Sequence, residues 1–181
     1  HDRPPLPSVM LQSSKKAGIL PASGQNDTLA HVAFTLHRPE MPRLHLELPE
    51  KIVYSLQLNV RVTDLNYGDH LGNHAVLGLL HEARVNWLRS LGFKNERDLG
   101  GAGIVLADAA LEFQSEAFLG EVLDIELRVG EIGRAVFDLY YAVTAENRPV
   151  ARAKTAIVFF DYDKRRATSM PASFRALLEG S

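Results

Sequence analysis

DLNYGDHLGNHAVLGLLHEAR, residues Asp64–Arg84, runs from the end of an apolar alternating segment through a polar loop into an amphipathic helix. Before it, Ile52, Tyr54, Leu56, Leu58 and Val60 alternate with Val53, Ser55, Gln57, Asn59 and Arg61, which predicts a strand ending near Asp64. Asn66, Gly68, Asp69, Gly72 and Asn73 then punctuate a loop. Asn73 has the chemistry of an N-cap. Beyond it, Val76, Leu80, Ala83, Trp87 and Leu91 recur at helical spacing, with Leu77 and Leu88 widening the stripe. Gly92 is placed to end the helix as its C′ residue.

Working outward, four more strand-like segments follow without another long helix: about 104–115, 121–129, 135–144 and 149–161. Turn residues separate them, at Phe118-Leu119-Gly120, from Gly130 to Gly133 and at Ala145-Glu146-Asn147-Arg148. Connections this short predict a four-strand antiparallel meander. Pro171-Ala172-Ser173 can open a short closing helix through Leu178. The order of strand, long helix and further strands predicts an α+β domain with the helix laid across one sheet.

The chain has 181 residues, 46% of them apolar, enough for one good core. With 20 basic and 22 acidic side chains there is no positive excess to attract a nucleic acid. No apolar run approaches the roughly 18–20 residues of a membrane span, so no membrane partner is expected. The absence of cysteine excludes a thiol nucleophile and cysteine-held zinc, and fits a reducing, cytoplasmic setting. Residues 1–43 show neither a period of 2 nor one of 3.6 and read as a disordered tail ahead of a domain at 44–181, with Met41 a candidate natural start.

The central stretch resembles a known family. Asp64-Leu65-Asn66-Tyr67-Gly68-Asp69-His70-Leu71-Gly72-Asn73 follows the pattern D-x-D-x-x-x-H-x-N-N of the 4-hydroxybenzoyl-CoA thioesterase-like group of hotdog proteins. His81-Glu82-Ala83-Arg84 falls where that group has E-E-A-R, and ALEFQSEAFLGEVL (residues 110–123), residues 153–161 and Met170-Pro171 resemble its later segments. The resemblance covers about residues 50–178 and implies a hotdog fold, a five- to six-stranded antiparallel sheet wrapped around one long helix. It also implies acyl-CoA thioester hydrolysis without metal or redox cofactor, coenzyme A entering only as part of the substrate. Assembly as a homodimer or homotetramer is implied too, with the site between subunits.

The sequence departs from the pattern where that chemistry is centred. The second aspartate of D-x-D, the carboxylate of the reaction, is Asn66 here, and an amide is neither a base nor a nucleophile at neutral pH. Either another residue has taken the task or the protein binds acyl thioesters without efficient hydrolysis. Asn66 can orient a water or donate to the thioester carbonyl, or serve a turn. Asp64 reads as an Asx turn or a site carboxylate, and Asp69 as a solvated loop carboxylate or a spare base. His70 matches the family's histidine before the helix. Glu82, off the apolar stripe between Gly78 and Asn86, is a solvated carboxylate or, under a second subunit, a base. Backbone N–H groups of Gly72, Asn73 and His74 form the expected oxyanion hole at the positive end of the helix. A metal is not expected: the HExxH-like run that begins at His81 has Val85 at its closing position, and His70 lies before the helix that carries His74.

Overall fold

A computed structural model describes residues 43–180 of the chain. The expected tail and the candidate start at Met41 lie outside the described residues, save for Arg43. The elements are β1 (Tyr54–Asn59), α1 (Asn73–Ser90), β2 (Gly103–Phe113), β3 (Val122–Ile132), β4 (Val136–Ala145), β5 (Arg148–Asp161), β6 (Arg166–Ala167) and α2 (Ala172–Gly180). A turn of 3-10 helix, Val62–Asp64, follows β1. All strand pairs are antiparallel in one six-stranded sheet of order β1-β3-β4-β5-β2, with β6 added beside β5. This is the hotdog arrangement, one long helix against one antiparallel sheet. Among the described residues, no helix is long and apolar enough to cross a membrane.

The meander is shorter than the turn spacing predicts. β3, β4 and β5 are consecutive hairpin neighbours, but β2 pairs with β5 rather than with β3. The segment between β2 and β3 therefore crosses from one side of the sheet to the other. Its backbone is bonded at several points of the crossing: Gln114 and Ser115 donate to the Val150 carbonyl, Leu71 donates to the Ala117 carbonyl, Gly120 donates to the Val60 carbonyl and Val60 to that of Glu121. Those bonds replace the ladder bonds that a direct hairpin would have made. Where a tight turn does join neighbours, the backbone shows it: Glu146 and Asn147 have φ of 50° and 64°, the two-residue hairpin geometry.

The inner sheet face carries Leu123, Ile125 and Leu127 of β3, Phe137, Leu139, Tyr141 and Val143 of β4, and Ala153, Ile157 and Phe159 of β5, all buried. Helix α1 covers them with Val76, Leu79, Leu80, Ala83, Trp87 and Leu88. Leu79 thus belongs to the buried face, while Leu77 is partly exposed. At the far end Phe174 of α2 packs on Phe137 and Phe159, with ring centroids 5.7 and 5.2 Å apart, and on Trp87 at 6.5 Å. Gly92 closes α1 as expected, at φ 93°. Its N–H donates to Arg89 and that of Phe93 to Leu88, which satisfies two of the helix's last carbonyls.

Candidate active site

The helix begins one residue earlier than its sequence suggests. Gly72, not Asn73, is the N-cap, in extended conformation and with no side-chain cap. Its N–H donates 2.8 Å to the Asp64 carbonyl, so Gly72 drops out of the expected oxyanion set. The amides of Asn73 and His74, in the first turn, have no backbone acceptor among the described residues. The space beside Gly72 is occupied: a Cβ built there would lie 2.5 Å from Cε1 of the His74 ring.

Asp64 is locked into the frame. It is 5% exposed. One carboxylate oxygen accepts from the Arg61 backbone N–H and from Nε, both at 2.9 Å, and the other from Nη2 at 3.0 Å. The bonds from Arg61 hold its carboxyl below the usual aspartate range against the opposing cost of burial. From this anchor the chain makes a small hairpin. Leu65 bridges Leu71, and Asn66 N–H donates to the His70 carbonyl at 2.9 Å. Tyr67, Gly68 and Asp69 form the exposed tip, with Asp69 at φ 61°.

Asn66 and His70 are joined side chain to side chain. The Asn66 carbonyl oxygen accepts the Gly68 N–H at 2.8 Å, which turns its amide nitrogen toward His70 Nε2, 3.0 Å away. Nε2 is then the acceptor, and Nδ1 carries the proton and donates to the Gly68 carbonyl at 3.1 Å. His70 is thereby held in one tautomer with both nitrogens engaged. It is a positioning group for Asn66, whose second amide hydrogen remains for a water or a ligand.

Beside this pair opens a cavity of about 250 Å³. His70 and Asn73 form one wall; Leu71, Val76, Phe113 and Val150 give it apolar sides, and Gln114 to Ala117 complete it. Glu116 supplies a carboxylate, Oε1 lying 3.7 Å from His70 Nδ1. Its main chain is pinned by Arg148, which donates to the Glu116 carbonyl, to Ser115 Oγ at 2.8 Å and to both oxygens of Glu121. In sequence Glu116 stands 46 residues from His70, inside a segment that reads as strand and turn. The one signal for it is the crossing itself, in which Phe118 bridges His70.

Within one chain Glu82 lies away from this group. It is exposed, nine residues along α1 from Asn73, or about 13 Å of helix rise. Its charge acts on Arg61 instead. Next to it, His81 Nε2 lies 2.9 Å from Glu96, which also receives Arg84 Nε at 2.6 Å. The H-E-A-R run thus ties the helix to the loop after it through His81 and Arg84.

The Thioesterase-like superfamily model matches residues 60–178. The chain belongs to that superfamily. It is 24% identical over 129 residues to a 1,4-dihydroxy-2-naphthoyl-CoA hydrolase of Synechococcus elongatus, covering 70% of this chain and 95% of that protein. Among solved structures, a 1,4-dihydroxy-2-naphthoyl-CoA thioesterase from Synechocystis superposes with a TM-score of 0.63 at 21% identity, over 69% of this chain and 94% of that one. A 4-hydroxybenzoyl-CoA thioesterase, an Asp-to-Asn mutant complexed with 4-hydroxybenzoyl-CoA, superposes with a TM-score of 0.63 at 23% identity, over 69% and 97%. Both likenesses are likenesses of fold.

Proposed function

We propose that the protein is an acyl-CoA thioesterase that hydrolyses an aromatic or short acyl thioester to the free acid and coenzyme A. The observation that carries this reading is the cavity at the start of α1. It joins apolar walls to His70, the ring that Asn66 bonds, and to Asn73 at a helix N-terminus whose first amides have no backbone acceptor among the described residues. The apolar sides take the acyl group. The Asn73 and His74 amides receive the carbonyl oxygen as charge develops on it. Asn66 directs an N–H toward the carbonyl or the attacking water. The relatives whose names specify naphthoyl-CoA and hydroxybenzoyl-CoA substrates agree with an aromatic acyl group. Water, backbone amides and a carboxylate suffice for this chemistry.

The working unit in this reading is at least a dimer. β2 is an edge strand of 11 residues. Leu106 on it is 46% exposed and shares a groove with Leu77 and Gly78 of α1. Among the described residues β2 pairs with a strand on one side only, and such an edge is a template for a second strand; a second copy there would cover part of α1. Sedimentation showing a monomer at micromolar concentration removes this part of the proposal.

Asn66 favours a second reading, a protein that holds acyl thioesters without cleaving them. Both readings are tested by incubating purified protein with benzoyl-, naphthoyl-, short- and long-chain acyl-CoAs and following thiol release. Turnover of an aromatic or short member supports the hydrolase. Tight binding without turnover, with activity appearing in Asn66→Asp, supports the binder.

A further inference from the structure

We propose that Glu116 is the general base of this site, standing in for the carboxylate that Asn66 lacks. The inference rests on the thioesterase reading and deepens it. Each other nearby carboxylate is engaged or elsewhere: Asp64 is bonded to Arg61, Glu121 to Arg148, and Glu112 to the Leu46 N–H. Asp69 sits at the exposed loop tip, and Glu82 lies well down the helix of the same chain. Among the residues that line the cavity, Glu116 is the one acidic side chain.

Its setting has the parts that a base needs. The Arg148 clamp fixes the main chain at Ser115 and Glu116, so the carboxylate leaves a rigid segment. Oε1 is close to His70 Nδ1, and the side chain is 63% exposed, so water reaches it. It shares a cavity with Asn73, whose amide belongs to the oxyanion site. Sheet topology, not sequence spacing, puts it there.

In the reaction, Glu116 takes a proton from water as the water oxygen bonds to the thioester carbonyl carbon. The carbonyl electron pair moves onto its oxygen, facing the Asn73 and His74 amides. When the intermediate collapses, the C–S bond breaks. The sulfur departs with the bonding pair and recovers the proton from Glu116, which leaves a carboxylic acid, a thiol and the ionised base. Asn66, held by His70, orients the water throughout.

The experiment uses the full chain and the acyl-CoA panel, with Glu116→Gln, Glu116→Asp, Glu82→Gln and the double variant Asn66→Asp/Glu116→Gln. For a general base, Glu116→Gln lowers kcat by about 100-fold or more with KM changed by less than about threefold. Glu116→Asp keeps a measurable part of the rate. The double variant regains about tenfold over Glu116→Gln, because Asn66→Asp returns a carboxylate to the family position. If wild type turns over a substrate and Glu116→Gln matches it, or loses only KM, Glu116 is not the base and the hydrolase reading stands. Loss in Glu82→Gln with Glu116→Gln unaffected assigns the base to the helix instead. A wild type inert toward every thioester removes both proposals together.

Discussion

Replacing Glu96 by glutamine would leave the Arg84 guanidinium inside the protein without its carboxylate. Arg84 is 9% exposed at the side chain, Glu96 is 23% exposed, and their contact is 2.6 Å. Burial works against the Arg84 charge, but the Glu96 bond and the nearby Tyr141 outweigh it and raise the arginine's pKa. Burial likewise opposes ionised Glu96, and the bonds from Arg84 and His81 outweigh it, holding that carboxyl below the usual glutamate range. Removing one partner of a buried pair costs about 3–5 kcal/mol. Glu96 keeps some contact with water, so the expected cost of Glu96→Gln is nearer about 2–3 kcal/mol. For a chain of this size that lowers Tm by about 4–12 °C. Arg84→Met leaves Glu96 without its arginine, but Glu96 is 23% exposed and still faces His81, so this variant costs less than Glu96→Gln, about 1–2 kcal/mol. The pH dependence has a definite sign. A glutamate held below its free value of 4.5 stabilises fully above that pH, and the contribution is lost as pH falls through the folded-state value. The gap between wild type and Glu96→Gln therefore closes on acidification. Thermal melts followed by circular dichroism from pH 7 to pH 3 measure both effects. A Glu96→Gln protein as stable as wild type at pH 7, or an Arg84→Met protein less stable than Glu96→Gln, refutes the reasoning.

Other outcomes follow from close packing and from the hydrogen-bond pattern. Gly103→Ala places a Cβ 2.6 Å from the Arg97 carbonyl oxygen, a backbone atom that cannot swing aside, and costs about 1–3 kcal/mol in chemical denaturation; an unchanged midpoint contradicts the packing. Long-range nitrogen–proton NMR of labelled histidine shows His70 protonated at Nδ1 and bare at Nε2, because Asn66 donates to Nε2. The opposite tautomer would mean that the Asn66 amide does not face the ring as described. Gly72→Ala folds with little loss, since the clashing atoms belong to the exposed His74 ring, which rotates away at a cost of about 1 kcal/mol; a drop several times larger means that the ring is held there.

The long helix, its stop at Gly92 and the hairpin at Glu146-Asn147 are local in origin, and each was legible in the chain. Apolar spacing of 3.6 residues, a glycine able to take positive φ and a two-residue turn act over a few positions. The loop from Asp64 to Asn73 was legible as a loop for the same reason, and its resemblance to the hotdog thioesterases carried the fold. Three features were decided by tertiary structure. Which strand lies beside β2 depends on how the sheet closes around α1, and no turn residue encodes a crossing of that kind. Whether the Gly72 amide is free depends on the Asp64 carbonyl eight residues earlier, which accepts its N–H in the folded chain. The neighbour of His70 is Glu116, brought across 46 positions because the crossing segment pairs with the loop. Hydrophobic periodicity records which face of an element is buried, but not which other element lies against it. A cavity built where a loop, a helix end and a crossing strand meet is specified only by the folded chain.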